Sequence, residues 1–267
     1  MSEAAVSRKG ASAGTGAGTS VGTQPEGAAS EADASRKVRE MFTKIAPRYD
    51  LLNHLLSLQM DRMWRARTVR ILRPILERPN RRVLDLCCGT GDLAFALQRK
   101  TKGRVWGADF AHTMLARARE KEAAETGDGR EIPFVESDAL QLPFADHSFD
   151  LVTTAFGFRN LANYEAGLRE IFRVLKPEGA AAILEFTEPK PGWFGDLYRW
   201  YFRAVLPRLG GLISGDRAAY SYLPSSVAKF LRPEELTELM KRNGFEKVEA
   251  RVWTGRTVAL HTGVKQS

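Results

Sequence analysis

After the first 35 residues, short apolar runs alternate along the chain with segments whose apolar positions recur at helical spacing. Arg82–Leu86 reads as a strand buried on both faces, and Asp92–Arg99 as the helix that follows it. Arg104–Asp109 is a second strand, and Thr113–Glu125, rich in alanine and charge, a second helix. Ile132–Glu136, Asp150–Thr154 and Ala180–Phe186 extend the set of strands, with a helix at Tyr164–Val174 between the last two. Repeated strand–helix units of this kind predict an α/β fold, a parallel sheet with helices on both faces. After Pro233 a helix is expected to Arg242, stopped by Asn243-Gly244. "FEKVEARVW" and "RTVALHTGV", around Thr254-Gly255, then predict a closing antiparallel hairpin.

Residues 1–35 are mostly Ala, Ser, Gly and Thr, too little apolar surface to offset chain entropy, and are expected to be a disordered tail. The tail lacks an apolar signal core and is too acidic for a mitochondrial transit peptide. No stretch approaches the roughly 18 apolar residues of a membrane span. Net charge is +8, and because the tail is net acidic the basic excess lies in the body. That excess suits an anionic partner, nucleic acid or a phospholipid surface, although taken alone it is better read as serving solubility. Two cysteines, Cys87 and Cys88, are adjacent, which suits neither a mutual bridge nor a structural zinc site. A cytoplasmic setting follows.

The chemistry starts at "VLDLCCGTGDLAFAL" (Val83–Leu97), where a strand passes through a glycine turn into a helix. Gly89-Thr90-Gly91-Asp92-Leu93-Ala94 satisfies a dinucleotide fingerprint, and Asp109 lies about 20 residues beyond Gly89, where a ribose-binding acid belongs. A pyrophosphate, however, needs positive surroundings, and Asp85 and Asp92 bracket this turn. S-adenosylmethionine carries an ammonium and a sulfonium, so these carboxylates suit it better. Asp109 can accept from both of its ribose hydroxyls, and Asp138 is placed for the adenine amino group.

Longer motifs narrow the choice. "MFTKIAPRYDLLNHLLSLQMDRMWR" (Met41–Arg65), "VLDLCCGTGD", "DALQLPFADHSFD" (Asp138–Asp150), "FGFRN" (Phe156–Asn160), "RVLKPEG" (Arg173–Gly179) and "VLPRLGGLISGDRAAYSYLPSSV" (Val205–Val227) resemble the quinone-biosynthesis C-methyltransferases, a family of class I methyltransferases. The resemblance runs from about Lys37 to Lys265. It implies a Rossmann-like, mostly parallel seven-stranded sheet with a C-terminal antiparallel hairpin. Within it, 36–80 would form a helical lid, 81–188 the cofactor-binding core, 189–232 an aromatic insertion facing substrate and membrane, and 233–267 the closing helix and hairpin. The implied cofactor contacts fall on Thr90, Asp109, Asp138, Ala139 and Ala155, beside Asp85, Gly89 and Gly91 of the first motif. Ala155 is often serine in relatives, and Glu178 replaces a frequent glycine in the turn before the fifth strand.

The implied reaction methylates a ring carbon of a prenylated hydroquinone, which is most nucleophilic as its phenolate. Such a site needs positioning, a partner for the phenolate and a proton acceptor. Arg159 is the candidate phenolate partner, since arginine stays protonated, and Asn160 is placed for the second ring oxygen. On that reading Arg159→Ala removes turnover and leaves cofactor affinity within a few-fold. Tyr49 and Asn53 come from the lid; His54 beside them, Asp50 or a bound water is the base. His112, His147 and His261 show no metal-ligand spacing, and no metal is expected.

"PGWFGDLYRWYFRAVLPRLGG" (Pro191–Gly211) mixes Trp, Tyr and Phe with arginines at helical spacing. It suits a membrane interface, and equally a cover helix or a dimer face in a homo-oligomer. A bilayer-dissolved substrate favours transient contact with anionic lipid at the inner face of the cell membrane. An RNA methyltransferase is the rival that basicity invites. No RNA-binding module is visible, and "TTAFGFRN" stands where base methyltransferases often carry Asn/Asp-Pro-Pro-aromatic, so no nucleic-acid partner is expected. A non-catalytic sensor has no use for Arg159-Asn160 beside the sulfonium. Demethylmenaquinol is the expected substrate, with the methoxy-polyprenyl-benzoquinol of ubiquinone synthesis the alternative.

Overall fold

The computed structural model describes residues 22–49, 57, 59–124, 130–189, 192–200 and 217–266. Helix α1 spans Glu31–Ile45 and α2 Met60–Leu76, with a 3-10 turn at Ala46–Arg48 between them. The sheet region runs β1 (Arg82–Leu86), α3 (Asp92–Gln98), β2 (Arg104–Asp109), α4 (His112–Ala124), β3 (Phe134–Glu136) and β4 (Phe149–Ala155). A 3-10 turn at Phe158–Asn160 then leads into α5 (Tyr164–Val174) and β5 (Leu175–Phe186). Helices α6 (Trp193–Trp200), α7 (Arg217–Lys229) and α8 (Pro233–Arg242) precede β6 (Phe245–Trp253) and β7 (Val258–Lys265).

The seven strands form one sheet in the order β3-β2-β1-β4-β5-β7-β6. β1 to β5 are mutually parallel, and β7 runs antiparallel to both β5 and β6. Consecutive residues on the inner strands feed opposite cores, as a two-residue period requires. Val83, Leu151 and Ala182 join Trp64, Leu72 and Leu76 of α2 and Leu93 of α3. Leu84, Val152 and Ile183 join Leu168 and Ile171 of α5 and Leu236 and Met240 of α8. The chain leaves β1 outward to β2 and β3, then returns to place β4 on the other side of β1. Between β1 and β4 the helical connections diverge to opposite faces and open a crevice at the carboxyl ends of the strands.

Two boundaries depart from the sequence reading. Helix α1 starts inside the stretch assigned to the tail, and residues 22–30 pack ahead of it. Ser30 caps α1 by accepting from the Asp33 amide, and Ala34 and Val38 are buried. Thr23 is buried, its amide donating to the Leu161 carbonyl at 2.7 Å. Small residues that suggest disorder are therefore held by a cap and by the loop after β4. β5 also begins at Leu175, before the expected Ala180, because "KPEG" is absorbed as an irregularity. Leu175 pairs with Phe149 and Ala180 with Leu151. Glu178 takes φ 61 there, a left-handed geometry that costs a side-chain-bearing residue about 1 kcal/mol and that glycine adopts freely.

Candidate active site

The crevice is shaped by sharp turns at two neighbouring strand ends. Cys87 after β1 and Phe156 after β4 both have left-handed backbones, with φ 54 and φ 60. A side chain at Gly157 would put Cβ only 2.3 Å from the Cys87 Cβ, so glycine is required for this close approach. In the turn into α3, Gly89 (φ 54) and Gly91 (φ 87) are also left-handed. The Gly89 amide donates to Asp109 Oδ2 at 2.9 Å and the Gly91 amide to the Cys88 carbonyl at 2.9 Å. With both glycine amides occupied inside the protein, this turn does not offer the row of free N–H groups that a pyrophosphate needs.

Two cavities meet here. One, of about 650 Å³, has Asp109, Phe110, Met114, Asp138 and Ala139 on one side and Phe42, Asn160 and Leu161 among its other walls. The second, of about 390 Å³, is lined by Arg65, Asp85, Thr90, Asp92 and Ala155. Tyr49, Cys87, Gly89 and Phe156 line both. The structure thus gathers Tyr49, Asp85, Gly89, Thr90, Asp109, Asp138, Ala139, Ala155 and Asn160 around one space. Gly91 lies in the turn behind it. Asn53, His54 and Asp50 lie outside the described residues.

Asp109 is buried, and Oδ1 accepts from the Ala111 amide at 2.9 Å while Oδ2 takes Gly89. Burial pushes its carboxyl up to about 6, although those amides pull the other way. Asp85 is only 1% exposed; Oδ1 accepts from the Thr153 hydroxyl at 2.9 Å, and Oδ2 has no hydrogen-bond partner among the described residues. Burial lifts Asp85 to about 7, against the Thr153 hydrogen bond, the charge of Arg65 and the nearby Ala94 amide, which does not reach hydrogen-bond geometry with Oδ2. Asp92 behaves differently from the sequence reading. Lys121 reaches its Oδ1 at 2.5 Å and Arg65 its Oδ2 at 2.9 Å, so its charge is neutralised. The negative field at the turn comes from Asp85 and Asp109. A buried carboxylate oxygen lacking a donor fits a cationic group such as the ammonium of S-adenosylmethionine, and fits a phosphate badly.

Arg159 lines neither cavity. It is buried, with Nη1 donating to the Phe156 carbonyl and, at 2.8 Å, to Glu185 Oε1, and Nε to the Ser226 hydroxyl at 3.3 Å. Its amide donates to Glu185 Oε2 at 3.1 Å. Burial acts to lower its pKa, but the charge and hydrogen bond of Glu185, with the Tyr222 and Tyr49 hydroxyls, together outweigh this and hold the guanidinium above its ordinary value. Asn160 Oδ1 accepts from the Tyr222 hydroxyl at 3.0 Å, and Tyr222 lies 3.0 Å from the Thr23 hydroxyl. Helix α7 and the N-terminal segment therefore brace the 158–160 turn from behind. The sequence reading missed Glu185, Tyr222, Ser226 and Arg65. Only Glu185, an acid inside the apolar run "AAILEF", carried a visible signal.

The strand order and the acid-lined glycine turn define a methyltransferase dependent on S-adenosylmethionine. The fold is shared with a solved S-adenosylmethionine-dependent methyltransferase, a possible histamine N-methyltransferase, from Thermotoga maritima: TM-score 0.61 at 19% identity, covering 86% of this chain and all of that one (100%). The chain belongs to the ubiE/COQ5 methyltransferase family, whose model matches residues 30–265. A demethylmenaquinone methyltransferase from Thermus thermophilus is 52% identical over 224 residues, 84% of this chain and 99% of that protein. A ubiquinone/menaquinone biosynthesis C-methyltransferase, UbiE, from Geobacter sulfurreducens is 43% identical over 235 residues, 87% of this chain and 90% of that one. The resemblance read from the motifs is borne out.

Proposed function

We propose that the chain methylates a ring carbon of demethylmenaquinol with S-adenosylmethionine, giving menaquinol. The reading is carried by the junction at Tyr49, where an acid-lined cavity joins one walled by Asn160, in a chain half identical to a demethylmenaquinone methyltransferase. S-adenosylmethionine supplies, when bound, an electrophilic methyl group on a sulfonium. Asp109 would hold the ribose hydroxyls, Asp138 and Ala139 the adenine, Thr90 and Ala155 the turn-side wall, and Asp85 the ammonium. Asn160 and Tyr49 would orient the hydroquinone ring, with the Arg159 charge behind them favouring its phenolate. The ring proton would leave to His54, Asp50 or a water they hold.

Purified protein is expected to transfer label from S-adenosylmethionine to demethylmenaquinol under reducing conditions. The name of the Geobacter relative makes the methoxy-polyprenyl-benzoquinol the second substrate to offer in parallel. Transfer to both would mean a dual-pathway enzyme. Transfer to neither, with cofactor still bound, would overturn the substrate half.

The same reading gives the 189–232 insertion a membrane-facing role and the enzyme a peripheral place on the inner face of the membrane. Among the described residues no helix is long and apolar enough to cross a bilayer. In α6, Trp193 is 81% and Trp200 59% exposed; the rest of the aromatic stripe, 201–211, lies outside the described residues. Exposed tryptophans on a basic protein suit the headgroup region of anionic lipid. Sedimentation with phosphatidylglycerol vesicles is expected at low salt, with loss at high salt and on Trp193→Ala. No sedimentation even at low salt would sink this.

A further inference from the structure

We propose that Arg65, which α2 carries over the sheet, holds the α-carboxylate of the bound S-adenosylmethionine. This rests on the cofactor reading above and names a binding residue outside the glycine turn. The methionine end of that cofactor is a zwitterion, so the cavity that receives it needs one group of each sign. Asp85 is the negative one. Arg65 is the only cationic side chain among the described residues lining the same cavity, and it is 11% exposed.

Its hydrogen bonds leave it able to take a second load. Nη2 alone donates to Asp61 and, at 2.9 Å, to Asp92 Oδ2. Nε and Nη1 donate to nothing among the described residues. Asp61 also accepts from the Ser57 hydroxyl at 2.5 Å, and Asp92 is shared with Lys121. The two acids therefore fix where the guanidinium sits without using all of its donors. Arginine is suited to this because its planar fork presents several N–H groups in a fixed arrangement. Lys121 is turned to Asp92 and to the Thr90 hydroxyl, 3.2 Å away, and is not part of the cavity wall. The arrangement makes the cofactor itself a bridge: carboxylate to α2, ammonium to β1.

Decarboxylated S-adenosylmethionine keeps the sulfonium, the amine and the adenosine, and lacks only the group assigned to Arg65. Equilibrium binding of both compounds to the full chain, by calorimetry, separates a ligand contact from a structural role. Wild-type protein is expected to prefer S-adenosylmethionine by about 10- to 100-fold, the scale of a charge-assisted hydrogen-bonded contact. Arg65→Gln is expected to remove that preference, weakening the native cofactor by this factor while the decarboxylated compound changes less than about 3-fold. Arg65→Lys keeps the charge that neutralises Asp61 and Asp92, so it guards against misfolding, and should retain a reduced preference. Equal weakening of both ligands by these variants, or no preference in the wild type, overturns the assignment. Wild-type protein that binds neither compound overturns the cofactor reading, and this proposal with it.

Discussion

Arg159→Ala is expected to lose about 3–5 kcal/mol of folding stability, the scale of stranding one partner of a buried ion pair, and with it nearly all turnover. Glu185 is 1% exposed and would keep only its bonds from the Arg159 and Phe186 amides, without a counter-charge. The Phe156 carbonyl would lose a donor too, and Phe156 lines both cavities. Cofactor affinity should therefore fall along with stability, which revises the sequence-based expectation that it stays within a few-fold. The informative variant is the neutral pair Arg159→Gln with Glu185→Gln, which removes both charges and keeps hydrogen-bonding groups in place. Urea unfolding is expected to show most of the lost stability restored. Single-turnover rates should stay down by about 100-fold or more if the Arg159 charge favours the phenolate. A rate that returns together with stability would make Arg159 scaffolding alone.

That revision shows where a linear reading of this chain succeeds. Inner strands such as Arg82–Leu86 and Arg104–Asp109 were legible to the residue, because a strand buried on both faces reads as a near-continuous apolar run, here broken only by an arginine at the start and by the acids of the site. Helix Tyr164–Val174 was legible because one apolar stripe faces the sheet. Glycines and acids of the turn were legible because backbone geometry and ligand charge restrict residue type there. What was not legible is pairing across the fold. Asp92 looks like a bare acid at a helix start until α2 and α4 bring Arg65 and Lys121 to it. Thr23 looks like tail until its amide meets Leu161. Arg159 looks like a cavity residue until β5 supplies Glu185. In each case the local pattern is the same with or without the partner, and only the topology decides.

Asp85→Asn is expected to weaken S-adenosylmethionine binding by 100-fold or more, while making the unliganded chain more stable at pH 8. Both effects have one cause. Burial raises the Asp85 carboxyl from its ordinary 3.8 to about 7, so the folded state binds a proton that the unfolded state releases. Stability of the unliganded chain then falls as pH rises from about 4 to about 7, and the ionised group costs on the order of 4 kcal/mol above that range. Asn removes the cost. Asp109, at about 6, adds a smaller effect of the same sign. A cofactor ammonium at Asp85 Oδ2 reverses the balance, favouring the ionised carboxylate and expelling the proton. Affinity should therefore climb by up to about one decade per pH unit between 6 and 7 and level off above, before the cofactor's own amino group begins to lose its proton near pH 8. Calorimetry in buffers of different ionisation enthalpy would detect the released proton directly. Asp85→Asn should abolish that release near pH 7 and leave only the Asp109 part at lower pH. A wild-type profile flat from pH 6 to 7.5, or an Asn variant that binds within a few-fold of wild type, would remove Asp85 from the cofactor site. Its missing hydrogen bond would then be a defect of the core and not the mark of a cation.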